Sequence, residues 1–281
     1  MDFPSRRFVT VALSLVAAAS IFLFLTNGYL FGATPLALVL TICLTSSYAI
    51  AGSVSIAGAR RFGVRSYLGS AFLTIGIGML SMAVGFVVEA YYKFVAQAEV
   101  PYPSLADAFF FLYTPLVVIG LWMFLKIHSM RVTRTLILEA SVVTGACVAV
   151  SFLFLGTLTL GRNMAVFDFL TGANVPLDEV ASEAMSILYL TTDAIYVALA
   201  VIIARVSAGK MSFGLFVFAV GIALMAAGDV AYSILIQNGT YVEGDVSDQL
   251  FLATGLAQAV GITYIIRPFV ARFAGATNQN G

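Results

Sequence analysis

Residues 67–90 read YLGSAFLTIGIGMLSMAVGFVVEA, and the first 22 of them carry no charge. A helix rises 1.5 Å per residue and the hydrocarbon core of a bilayer is about 30 Å thick, so about 20 apolar residues suffice to cross it. The run is continuously apolar rather than alternating, which favours a helix over a barrel strand. Eight stretches of this kind stand along the chain, at approximately 8–31, 35–58, 67–90, 105–126, 135–159, 183–204, 211–235 and 248–266.

Composition agrees. Hydrophobic residues make up 61% of the 281 residues, charged residues 10%, and the mean hydropathy is +1.01. Soluble domains carry about 25% charged residues. The sequence therefore describes an all-α integral membrane protein. A net charge of zero gives nucleic-acid binding no electrostatic support. Cys43 and Cys147 lie inside apolar stretches, without metal-ligand or redox spacing, and read as packing residues. The first run follows Arg6 and Arg7 as a signal peptide would, but it exceeds a typical signal h-region and is expected to be a retained helix.

Basic residues give the orientation. With the N-terminus in the cytoplasm and eight alternating spans, the inner segments hold Arg6, Arg7, Arg60, Arg61, Arg65, Lys126, Arg131, Arg134, Arg205, Lys210, Arg267 and Arg272, while the outer ones hold Lys93 and Arg162. Twelve against two is the sorting the positive-inside rule demands, and it places both termini in the cytoplasm. Glu99, Asp168, Asp178, Glu179, Glu183, Glu243 and Asp245 fall on or beside the outer loops, either as plain solvation or as a cation-attracting or partner-binding face.

The second half of the chain echoes the first. Glu89-x-x-Tyr92 ends one apolar run and Asp229-x-x-Tyr232 another; Asp107, Phe110, Gly120 and Lys126 are then matched by Asp248, Phe251, Gly261 and Arg267 at a common displacement of 141. Four spans per half return each half to its starting side, so the expected architecture is two parallel four-helix repeats related by an axis along the membrane normal. The divisions are 1–130, 131–272 and a short cytoplasmic tail, 273–281. The halves differ in their first outer connection, which is a tight turn at Gly32–Thr34 in one and a loop at 160–182 in the other. That loop is long enough, and apolar enough at Phe167, Phe169 and Leu170, to be read as a folded cap and a place for a ligand or partner.

Few polar residues remain to carry chemistry. Ser104-x-x-Asp107 has the spacing of a helix capping box, and Asp245-x-x-Asp248 can serve the equivalent helix. Glu89 and Asp229 stand near expected helix C-termini, where the dipole disfavours an anion. They call for compensation by Tyr92 and Tyr232, by Lys93, by a bound cation or by the next helix, so the two acid–tyrosine pairs are candidates either for a structural network or for a ligand or ion site. Asp193 falls near mid-membrane, with Tyr189, Thr191, Thr192 and Tyr196 nearby and Ser46, Ser47 and Ser53 on the second span as further hydroxyl partners. It is either a fastener between helices or a functional acid. Glu139, above Arg134 at a helix start, reads as structural.

Absent patterns limit the function further. The one histidine, His128, is in a loop; no paired metal ligands, Gly-rich phosphate loop, nucleophile–base arrangement or span lysine occurs. Neither a metal nor another cofactor is expected, and no enzyme. Trp122 near the inner boundary and Tyr91, Tyr92 and Tyr102 near the outer one form an aromatic belt.

Pro101-Tyr102-Pro103-Ser104-Leu105-Ala106-Asp107-Ala108-Phe109-Phe110, with Tyr113-Thr114-Pro115-Leu116 and Gly120-Leu121, resembles a segment of the multi-span membrane regions that precede diguanylate cyclase or histidine kinase domains in prokaryotic signalling proteins. Gly228-Asp229-x-x-Tyr232, Asn238-Gly239-Thr240-Tyr241 and Arg267-Pro268 resemble the second half of such regions. Only 14 residues follow Arg267, so the resemblance implies a sensory module without its output domain, in a prokaryotic plasma membrane, contacting lipid and a protein partner. A transporter using Asp193, Glu89 and Asp229 as titrating groups is the other expectation.

Overall fold

A computed structural model describes residues 33–98, 100–127, 133–159, 170, 172, 174–206 and 212–277. Of these, 87% are α-helical and none lies in a strand. Among the described residues seven α-helices follow in order: α1 (Ala33–Phe62), α2 (Tyr67–Ala90), α3 (Leu105–Ile127), α4 (Arg134–Thr159), α5 (Leu177–Val206), α6 (Ser212–Gln237) and α7 (Val246–Thr277). Among the described residues six helices are long and apolar enough to cross a membrane, namely all but α4. The protein is thus a helical, multi-pass membrane protein. The span expected at 135–159 is the 26-residue helix α4, and the one at 8–31 lies outside the described residues.

Local chemistry sets the helix ends. Gly63, at φ +83°, stops α1, and Ser66 starts α2 by accepting from the Gly69 amide at 2.9 Å. The sequence ends the third expected span at residue 90, but the backbone continues as a π-helical turn, Tyr91–Ala96, before Gln97 turns left-handed at φ 48°. α5 begins at Leu177, so the last residues of the expected loop 160–182 are helix; most of the rest of that loop lies outside the described residues. α7 likewise continues to Thr277, into the expected tail.

Packing runs α3–α2–α1–α7–α6–α5, with α4 outermost against α5. Long side chains then join α3 to α5: Asp107 to Tyr189, Thr114 to Tyr196, and the Phe111 ring to that of Tyr189 at 4.4 Å. Six helices therefore form a closed ring. Arg60 and Arg61 of α1, Lys126 of α3 and Arg205 of α5 mark one end, the basic end. Glu89, Lys93 and Glu243 mark the other, the acidic end.

Several glycines permit backbone-to-backbone approach, Gly120 and Gly261 among them. A β-carbon at Gly120 of α3 would stand 2.8 Å from the Ala71 carbonyl oxygen of α2; one at Gly261 of α7 would stand 2.9 Å from that of Gly214 of α6. Lipid tails are as apolar as leucine, so helices in a bilayer associate by such close contact rather than by escape from water. Gly120→Ala and Gly261→Ala should each cost about 1–3 kcal/mol, by overpacking. Gly145→Ala, where a β-carbon meets nothing within 4 Å, should cost nothing. Thermal loss of the monodisperse peak in mild detergent measures the contrast, and equal effects at all three positions would disprove it.

Candidate functional site

Two polar regions lie on the ring. One caps its acidic end, and the other sits within it.

At the acidic end Lys93, on the π-helical turn, bridges Glu89 and Glu243, each at 2.9 Å. Of the compensations open to Glu89, the structure uses Lys93. The dipole problem is also smaller than the sequence suggests, because helical backbone continues to Ala96 and moves the C-terminus beyond Glu89. Tyr92 stacks edge-on with Tyr91, with ring centres 6.1 Å apart.

Both capping acids are buried, each 6% exposed. Asp107 accepts from the Ser104 amide at 2.6 Å and the Ser104 hydroxyl at 2.9 Å, which realises the capping box. Its other oxygen accepts from the Tyr189 hydroxyl at 2.5 Å, so the cap also joins α3 to α5. Asp248 accepts from the Gly244 amide at 2.7 Å and from the Tyr241 hydroxyl at 3.2 Å. Asp245 accepts from the Val246 amide at 3.0 Å. Asp245 and Asp248 therefore cap the helix side by side, not as a reciprocal box. Burial, and then the Asp248 carboxylate, push the Tyr241 phenol up from its ordinary range, which keeps it a donor at neutral pH.

Within the ring, Asp193 of α5 is 8% exposed and lies beside the half-buried Asp229 of α6. Three of the hydroxyls expected to serve Asp193 are engaged elsewhere: Thr191 donates to the Ile187 carbonyl, Thr192 to that of Tyr189, and Ser47 to that of Leu44. Such bonds to the preceding helical turn are the ordinary alternative for these side chains. Tyr196 shares a 2.5 Å hydrogen bond with Thr114. Gln258 of α7 donates to Tyr113, and Tyr48 of α1 donates to the Phe251 carbonyl at 3.2 Å. Asp193 Oδ1 and Gln258 Oε1 have no partner.

Glu89 and Asp229 are therefore not equivalent in space. Gly85 of α2 lies against the Phe110 ring and Gly228 of α6 against the Phe251 ring, while Ala71 and Gly214 meet Gly120 and Gly261. The α2 and α6 contacts are displaced by 143 residues, not the 140 that aligns Glu89 with Asp229. By packing, Asp229 takes the level of the buried Phe86, and Glu89 that of Tyr232. Tyr232 accordingly belongs to the acidic end, its ring centre 5.0 Å from Tyr241 and 6.5 Å from Phe251. Asp229 also stands well inside α6, which continues to Gln237, so neither acid occupies a true C-terminal turn.

The sequence alone did not single out Tyr48, Tyr113, Thr114 or Gln258 for this cluster. A glutamine in the middle of an apolar span is the one signal that could have found it. Among the described residues no group of three or more metal-ligating side chains occurs. Comparisons with protein-family models, curated proteins and solved structures yield no match.

Replacing Asp107 with alanine strands the Ser104 amide and the Tyr189 hydroxyl together and should cost about 1–3 kcal/mol per stranded group. Asp245→Ala, at an exposed cap, should cost about 1 kcal/mol or less. Detergent thermal stability ranks them, and a larger loss in Asp245→Ala would refute the assignment.

Proposed function

We propose that the chain is a non-enzymatic sensory or scaffolding subunit of a prokaryotic plasma membrane, built as two parallel four-helix repeats with both termini cytoplasmic, that acts through a protein partner. The observation that carries this reading is the stitching of α3 to α5. Asp107 at the acidic end holds Tyr189, and Thr114, seven residues or about 10 Å deeper along α3, holds Tyr196. An event at the outer rim that disturbs Asp107 thereby bears directly on how α5 packs, with no pore required. Toward the basic end the ring is filled by Leu121, Phe124, Ile203, Phe218 and Ile262, none more than 1% exposed. The resemblance to membrane sensory regions points the same way, as does the matched glycine packing of the α2–α3 and α6–α7 pairs.

Ion- or proton-coupled transport through Asp193, Glu89 and Asp229 is the second reading, favoured by an acid pair with one oxygen unpartnered. It requires a path to the cytoplasmic side, where the ring is packed apolar, and Glu89 is committed to Lys93.

Single cysteines placed at Lys93 and Arg162 should be labelled by an impermeant maleimide from outside, those at Arg61 and Arg131 only after lysis. Purification in mild detergent should carry one partner at constant ratio. A chain that crosslinks to nothing in native membranes would overturn the subunit reading. Cation or proton flux in liposomes that is abolished by Asp193→Asn would replace it with transport.

A further inference from the structure

The outermost helix, α4, meets the ring along one stripe. Leu136 and Ala140 are buried, and Thr144, one further turn on, donates to the Ala194 carbonyl of α5 at 3.4 Å. The neighbouring stripe of α4 is left open. Thr135, Leu138, Glu139, Val142 and Val143 recur at the three- and four-residue spacing of a single helix face. Of these, Leu138 is 65% exposed and Val142 62%. Together with Val201 and Arg205 of α5 they line a cleft of about 410 Å³. Small-molecule sites fall in the same range, roughly 300–1,000 Å³.

The cleft is polar toward the basic end and apolar away from it. Thr135 lies in the first turn of α4 and Arg205 in the last turn of α5, and Arg205 Nη2 stands 3.0 Å from Glu139 Oε2. One turn deeper, about 5 Å along either helix, the walls are Val142, Val143 and Val201. The ion pair is open, its side chains 65% exposed at Arg205 and 42% at Glu139. An exposed pair of this kind adds about 0–1 kcal/mol to stability, so each partner keeps capacity for a third group. Arg205 presents a fork of N–H donors suited to phosphate, and Glu139 accepts from a cation. The charges lining the cleft sum to zero, so a purely anionic headgroup would meet Glu139 as well as Arg205. A zwitterionic headgroup complements both. Arg134, exposed and one turn before Leu138, adds positive charge on the phosphate side.

We propose that the cleft between α4 and α5 binds a phospholipid with a primary-amine headgroup, its phosphate on Arg205, its ammonium on Glu139 and an acyl chain along Leu138, Val142, Val143 and Val201. A primary ammonium brings three N–H donors to the carboxylate, whereas a choline headgroup carries the same charge and no N–H. The site does not depend on the subunit reading above. A lipid seated there fills the one side of the α4–α5 seam that the two helices leave open, and so fastens the outlying helix to the ring.

Native mass spectrometry of the full chain in mild detergent, titrated in turn with dioleoyl phosphatidylethanolamine, phosphatidylcholine and phosphatidylglycerol, tests this. The wild type should hold the ethanolamine lipid at least about tenfold tighter than the choline lipid, the equivalent of one charge-assisted hydrogen bond, and tighter than the glycerol lipid. Glu139→Gln should abolish the preference for ethanolamine over choline. Arg205→Gln should weaken all three lipids, and Leu138→Trp, which fills the apolar wall, should weaken all three and keep their ranking. Wild-type protein that binds the glycerol lipid tightest, binds the three equally or binds none would overturn the proposal without any variant needing to fold. So would a Glu139→Gln chain that keeps the wild-type ranking, or displacement of the bound lipid by an equal concentration of glycerophosphoethanolamine, which has no acyl chain. The copurification experiment is independent: a missing partner refutes the subunit reading and leaves the lipid site standing.

Discussion

A carboxyl group inside a bilayer has no water to turn to, so the protein must supply its surroundings, and Asp193 is set beside Asp229 of the next helix. This requirement organises the ring. It fixes the rotation of α5 and α6 relative to each other, since a turn of either helix by one residue, about 100°, would aim its acid at lipid. The surrounding span residues include tyrosine, threonine and glutamine. Each offers a polar atom on a long or short arm, and most use it on another helix or on their own backbone.

Two kinds of attachment hold the ring, and they differ in stiffness. α1–α2, α2–α3 and α6–α7 approach through glycine and alanine, where a single added methyl would strike backbone. Such contacts tolerate little movement. Between α3 and α5 the backbones stand further apart and Tyr189 and Tyr196 span the gap. A side chain with two rotatable bonds accommodates a shift that a glycine contact cannot. Any change of state in this bundle therefore has its natural seam there, with α5 and the outlying α4 moving against a more rigid remainder.

The sequence displays the helices plainly, because an uncharged run of 22 residues between interfacial charges has few other readings. It displays the caps too, since Ser104-x-x-Asp107 is local chemistry. What it hides is register. Matching residue types aligned Glu89 with Asp229, but the helices align by which positions admit a neighbour's backbone, and Gly85 with Gly228 overrides the acids by almost a turn. Partner choice was hidden for a related reason. The hydroxyls beside Asp193 in sequence bond their own helix, and the acid set beside it lies 36 residues away on the next one. Loss of Glu89 from the deep site follows from that register, and the π-helical turn, which no local motif announces, brings Lys93 to Glu89 and Glu243.

The two helix pairs finally show how similar packing can carry different chemistry. Asp107 and Asp248 occupy matching positions, both buried, both accepting a tyrosine hydroxyl. For Asp248 the tyrosine is Tyr241, seven residues earlier in the same turn, so the bond closes a local loop and tells the rest of the bundle nothing. For Asp107 the tyrosine is Tyr189, 82 residues later on α5. At the level where α2 places Phe86, α6 places Asp229. One capping bond is thus local to its own helix pair, and the other is completed only by the opposite half of the chain. A capping acid satisfied by a distant helix responds to that helix's position, and an acid on that helix one turn deeper responds in turn to its neighbour. On the sensory reading proposed above, that asymmetry, rather than any single residue, gives this otherwise apolar ring a direction along which a change at one face can travel.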